Sequence, residues 1–261
     1  MTDLDMQYLR GAKGLLEKPR LGAKIANLLG APIEKAISIL PEKARNVVEK
    51  ATQKSVQVAF DVALKTIPEK EDRHRGASNL YHKALVAGTG GVSGFFGVSA
   101  LLLELPISTT IMMRSILDIA RSEGEDLDQA EAKVACLQVF AFGGNSKGDD
   151  AVDAGYFATR TALAKAVSQA ASVLADRGIA KESAPFVSRL ILNIASRFQM
   201  VVSEKVAAQI VPMIGAIGGS GVNVLFMDHF QDMARGHFVV RRLERKYGAE
   251  EVRRTYQELS I

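Results

Sequence analysis

The sequence predicts an all-α protein, a single helical domain with glycine-rich apolar helical hairpin segments at its centre. Three observations predict it. Aromatic residues are only 6% of the chain and Trp is absent, while Ala and Gly are abundant. Ala is the best helix former, and runs of β-branched or aromatic residues with strict alternation are hard to find. Helix punctuation recurs along the chain, with Pro at expected starts and Gly at expected stops. The 261 residues are 48% hydrophobic and 24% charged, enough to bury a sizeable core and unlike a disordered chain.

The elements follow in order. Residues 9–70 read as amphipathic helices punctuated by Pro32, Pro41 and Pro68, each suited to a first helical position, where a missing N–H costs nothing. Pro41-Glu42-Lys43 opens a long helix to about Ile67, with Val47, Val48, Val58, Val62 and Leu64 near helical spacing and Glu42 favourable to the dipole. A charged linker, Glu69 to Arg75, separates an N-terminal region (1–70) from a core (71–261); one continuous domain is expected over 30–247. Pro106 is expected to start a helix that runs to about Ser122 and stops at Gly124. Asp128 with Glu131 makes a capping box for a helix through Phe142, ended by Gly143 and Gly144. Asp149 and Asp150 precede a helix over about 150–176 that stops at Gly178. Ser183 and Pro185 start the next, which ends before Pro212. A polar, basic helix runs from Asp228 to Tyr247, with Gly248 as the residue just beyond its end.

Two stretches, 84–113 and 206–227, are almost without charge. The first holds Gly88, Gly90, Gly91, Gly94 and Gly97, and Glu104 interrupts it alone; the second holds Gly215, Gly218, Gly219 and Gly221. Gly90 and Gly94 have the spacing that lets helix backbones approach closely. Each stretch reaches the roughly 20 residues that a membrane span needs. Glycine, Ser93, Ser99, Gln209 and Asn223 dilute both, which favours a glycine-packed hairpin in the core over shallow membrane contact or a true span.

The charge sum of +4 is too small to argue for nucleic acid. A single cysteine, Cys136, excludes a disulfide framework and a cysteine-cluster metal site. The start of the chain, with Asp3 and Asp5, does not read as a signal peptide, so the expected address is cytoplasmic. Two basic patches point to the inner face of the cell membrane. Lys13, Lys18, Arg20 and Lys24 lie on one amphipathic segment; Arg241, Arg242, Arg245 and Lys246 follow the second apolar stretch. Base beside apolar surface attracts anionic headgroups, by on the order of 1 kcal/mol per residue. The competing reading of each patch is an ordinary solvated helix face.

Chemistry is sparsely signalled. The glycines of 88–94 match neither a dinucleotide fingerprint nor a P-loop, and hydrolase signatures are absent. The densest polar run is Asp228 to His237. On a helix Asp228 and Asp232 share a face, and His229–Asp232 and Asp232–Arg235 are neighbours. Glu104, alone among apolar residues, must find a partner or shift its pKa. The favoured reading is a polar core network of Glu104, Arg114, Arg160, Asp228, His229 and Arg235. The alternative is a metal-dependent or acid–base hydrolase acting on a lipid or other apolar substrate. Glu104, Asp228, His229 and His237 would be catalytic, or Glu104, His229 and Asp232 would ligate a divalent metal. Otherwise no cofactor is expected. Expected partners are membrane lipids, a membrane protein, or a second copy of the chain.

The run Val211-Pro212-Met213-Ile214-Gly215-Ala216-Ile217-Gly218-Gly219-Ser220-Gly221-Val222-Asn223 continues through Phe226, Asp228-His229-Phe230-Gln231 and Ala234-Arg235-Gly236-His237-Phe238 to Arg241-Arg242-Leu243-Glu244. It resembles the C-terminal signature of the bacterial EcsC family. Gly88 to Gly97 with Glu104-Leu105-Pro106, Leu40-Pro41-Glu42-Lys43, Val139-Phe140-Ala141 and Tyr156-Phe157-Ala158-Thr159-Arg160 are similar to other motifs of that family. The resemblance covers about residues 30–247. It implies a helical, membrane-associated protein, with a transporter as one kind of partner, and supplies no catalytic residues.

Overall fold

A computed structural model describes residues 1–17, 21–29, 37–38, 40–65, 100–143, 155–178, 184–210 and 218–260. Among the described residues the regular structure is nine α-helices and a 3₁₀ turn, without strands. The helices are α1 (Asp3–Leu16), α2 (Leu21–Leu29), α3 (Glu42–Lys65), α4 (Leu101–Ser122), α5 (Ala130–Gln138), α6 (Tyr156–Arg177), α7 (Ala184–Ile210), α8 (Gly218–Tyr247) and α9 (Ala249–Glu258); the 3₁₀ turn is Val139–Ala141. The all-α expectation holds.

Local signals explain many boundaries. Thr2 caps α1, its hydroxyl oxygen accepting from the Asp5 N–H at 3.3 Å. Pro41 stands immediately before α3, and its carbonyl accepts from Ala44 and Arg45. Gly124, Gly178 and Gly248 take the left-handed conformations expected of stop residues, with φ of 79°, 60° and 90°. Gly248 also begins α9, so one glycine makes the elbow between the last two helices.

Other boundaries differ from expectation. α4 begins at Leu101, and Pro106 lies inside it. Proline there removes one backbone hydrogen bond. Burial outweighs that loss: Leu101, Glu104 and Leu105 all point into the core. The capping box at Asp128 does not form. Asp126 accepts the Asp128 N–H at 3.2 Å, and the chain enters α5 one residue later, at Gln129. The expected helix through Phe142 tightens into the 3₁₀ turn at Val139. Residues 206–227 are divided between the end of α7 and the start of α8. The segments 84–99 and 211–217, the linker 69–75, and Pro32, Pro68, Gly144, Asp149, Asp150 and Ser183 lie outside the described residues. No helix among the described residues is long and apolar enough to cross a membrane.

α8 is the axis of the molecule, packing against α1, α2, α4, α7, α9 and the 3₁₀ turn. It runs in the same direction as α4: Asn223 meets Glu104 and Gln231 meets Ser115. α3 lies along α4 with a buried face of Ala44, Val48, Ala51, Ser55, Ala59 and Ala63, small enough for the backbones to come close. α5, α6 and α7 complete the body. At the centre Phe140, Phe198, Phe226 and Phe230 pack ring to ring, with centroids 5.1–5.9 Å apart. They tie the 3₁₀ turn, α7 and α8 into one core.

Candidate functional site

The start of α4 has two opposed faces. Glu104 and Ser108 are buried on one side, while Leu103 and Ile107 on the other are 72% and 53% exposed. Leu103 and Ile107 are four residues apart and share a helical face. A wholly buried ion pair fixes this end of the helix. Lys205 Nζ of α7 donates to both carboxylate oxygens of Glu104, at 2.9 and 3.0 Å, and Asn223 Nδ2 of α8 donates to Oε1 at 3.2 Å. The ammonium also stands over the Phe226 ring, 4.8 Å from its centroid. Burial pulls the lysine pKa down and the Glu104 carboxylate opposes that pull. Three helices are thus joined at one charge pair.

This pairing corrects the expected network. Arg114 is exposed on α4 and is not Glu104's partner. Glu104 and His229 are not brought together. Glu104 stands level with Asn223, and His229 lies six residues, about 9 Å, further along α8. His229 instead packs against the turn after the 3₁₀ segment, where it hydrogen-bonds to the Phe142 backbone. Gly143 there, at φ 80°, has no room for a Cβ because the imidazole occupies the space. Burial, helped by Lys24, lowers the His229 pKa to about 4. Asp228 is half-buried on the same helix. Asp232 pairs with Lys24 at 3.5 Å and with Arg235 at 3.4 Å.

His237 belongs to a third cluster. Its Nδ1 is 2.8 Å from Tyr156 Oη, and Arg160 Nη1 donates to the same oxygen at 3.2 Å. A guanidinium only donates, so the phenol proton is free to go to Nδ1, and the ring proton then sits on Nε2. Burial, with Arg160 and Arg241 nearby, lowers the His237 pKa well below the ordinary value, and burial raises that of Tyr156. Arg160 closes the cluster with a two-pronged bond to Glu244, at 2.7 and 3.0 Å. The proposed catalytic set Glu104, Asp228, His229 and His237 is therefore distributed over separate environments. Among the described residues no three His, Cys, Asp or Glu gather as metal ligands. The proposed triad of Glu104, His229 and Asp232 does not form, because each carries another partner. Cys136 is buried, and burial raises its thiol pKa, which leaves it unreactive.

Most described members of the basic patches have partners within the fold. Lys13 is buried, and its Nζ donates to the carbonyls of Tyr256 and Leu259, closing the C-terminal end of α9. Arg241 forks onto Glu125 at 2.9 and 3.2 Å and reaches Glu131 at 3.3 Å. Arg242 pairs with Glu123 at 2.6 Å, Arg245 with Glu125, and Lys246 with Asp5 at 2.8 Å. Lys246, together with Tyr247 and Thr2, holds the Asp5 carboxyl well below the usual range. The base-rich end of α8 is thus folded against the acidic connection after α4 and the start of α1. Lys18 and Arg20 lie outside the described residues. Sequence reasoning missed Lys205, Asn223, Tyr156, Glu123, Glu125 and Glu244 as partners. Lys205 alone carried a signal, as the charge that borders the second apolar stretch.

Fold and site define an all-helical protein with a charge pair buried at its centre and an apolar helix turn on its surface. The chain belongs to the EcsC protein family, whose model matches residues 12–243. No curated protein and no solved structure matches it.

Proposed function

We propose that this chain is a peripheral membrane protein that docks on the bilayer surface through the first turns of α4. The observation that carries the reading is the exposure of Leu103 and Ile107 on a helix that Glu104, Lys205 and Asn223 hold rigidly from behind. The uncharged sequence of residues 84–103 leads directly into this turn. Arg114, exposed two turns beyond Ile107, would meet headgroups while the apolar side chains enter the acyl boundary. The basic end of α8 contributes little, since Glu123, Glu125, Glu131 and Asp5 already neutralise it. Attachment in this reading is apolar in origin, and the face proposed is the cytoplasmic one.

Flotation with phosphatidylcholine vesicles, with and without phosphatidylglycerol, tests this. The wild-type chain should float with both and stay bound in high salt. Leu103→Asp with Ile107→Asp, both on the surface, should lower partitioning by at least tenfold, because each buried apolar side chain is worth about 1.5–3 kcal/mol. Equal flotation of the double variant, or release of the wild type by salt alone, would overturn the reading.

A further inference from the structure

We propose that the groove between α5 and α6 binds one long-chain fatty acid, with its carboxylate at the arginine end. The groove is open along one side and measures about 620 Å³, within the range of small-molecule sites. Its α6 wall is a track of Ala164, Val167, Ala171 and Ala175 at helical spacing. From Arg160 to Ala175 this wall extends about 22 Å at 1.5 Å per residue. Nothing larger than Val stands on the track, so a slim apolar chain can lie along it. Ser168 and Ser172 border it.

One end of the groove is polar. α5 and α6 run antiparallel, since Phe142 beyond α5 meets Tyr156 at the start of α6. Gln138 therefore lies level with Arg160, each being four residues from that contact. Gln138 lines the groove and is only 5% exposed, yet its amide has no hydrogen-bond partner among the described residues. Set in the groove wall with its amide reaching the groove, it is placed to hydrogen-bond a ligand. Arg241 is brought to the same end by its helix, whose His237 and Glu244 meet Tyr156 and Arg160. Arg241 uses Nε and Nη2 on its glutamates, and Arg160 uses Nη1 and Nη2. Among the described residues Arg241 Nη1 and Arg160 Nε are left as donors. Glu131 is the acid on the groove wall, and its side chain is mostly in solvent. Guanidinium and amide donors above an apolar track match a carboxylate on an acyl chain.

The inference rests on the bilayer reading only for the source of the ligand. The test titrates the full chain with palmitate below its micellar concentration, read by displacement of a fluorescent fatty acid. One saturable site per chain is expected. Gln138→Leu should weaken binding about tenfold, and hexadecanol, which lacks the carboxylate, should bind about tenfold more weakly than palmitate. Ala171→Trp should abolish binding by filling the track. Ala164→Trp fills it from an exposed position and reports even where the first variant fails to fold. Non-saturable uptake, equal binding of hexadecanol, or wild-type binding by a folded tryptophan variant would overturn the assignment. The Leu103→Asp, Ile107→Asp variant should bind palmitate normally while losing vesicles, and Ala164→Trp should do the reverse. Failure of one reading is thereby told apart from failure of the other.

Discussion

Single residues set the tightest tolerances. Gly236 lies where α1 crosses α8, and a Cβ there would stand 2.5 Å from Leu16 Cγ and 3.1 Å from the Ala12 carbonyl oxygen. Gly11 on α1 faces open space. The same substitution should therefore have opposite signs: Gly236→Ala destabilises by about 1–3 kcal/mol through overpacking, and Gly11→Ala stabilises by about 0.5–1 kcal/mol. Urea unfolding of both variants checks this, and a shared sign would contradict the geometry. His229 gives a pH dependence. Below pH 6.5 the unfolded chain takes up a proton that the folded ring refuses until about pH 4. Stability thus falls as pH drops through this window, by up to about 3 kcal/mol from this group, and the loss levels off below it. His237 acts with the same sign. Unfolding midpoints from pH 7 to 4 should show the decline, and His229→Gln should make it shallower; parallel curves would remove His229 as a source.

At the scale of elements, the Glu104–Lys205 pair decides how α4, α7 and α8 meet. A buried pair contributes little net stability, but removing one partner leaves an uncompensated charge and costs about 3–5 kcal/mol. Lys205→Met should show that loss in chemical denaturation. Adding Glu104→Gln should recover most of it, since an amide can still accept from Asn223 without a buried charge. A cost below about 1 kcal/mol for Lys205→Met alone would mean that water reaches the carboxylate. The pair also explains why α4 tolerates Pro106: the turn ahead of the proline is anchored from the side, by tertiary contacts, rather than by its own ladder.

For the whole molecule, the distribution of surfaces separates two roles. The arginine-rich end of α8 pairs with acids from two other elements while Arg242, Arg245 and Lys246 stay partly exposed, so much of its charge is balanced within the fold. The apolar turn of α4 and the groove of α5 and α6 belong to different helices. Docking should consequently show little dependence on anionic lipid or on salt between 0.05 and 0.5 M, taken as roughly dilute to concentrated salt on the screening scale. Steep salt dependence would show that the arginines leave their acids at a bilayer.

Local signals in the chain were sufficient for the helical class, for the stops at Gly124, Gly178 and Gly248, and for most of α3, α6 and α7. Those features depend on backbone freedom and on spacing within a turn or two, which neighbouring residues carry. The lone Glu104 was likewise readable as a charge in need of a partner. Its partner was not, nor were those of Lys13, Arg241 and His237, because each contact joins residues some 80 to 250 positions apart. Runs of base and acid each read as surface until folding sets them face to face. The buried stripe of α3 was legible in part: of the valines and leucine at helical spacing Val48 is fully buried and Val47, Val62 and Leu64 pack at the edge of the core, while Ala44, Ala51, Ala59 and Ala63 fill the face that lies against α4, where a close approach admits small residues. Tertiary structure alone decided which charges are neutralised and which apolar residues stay outside, since both depend on what the opposite helix presents.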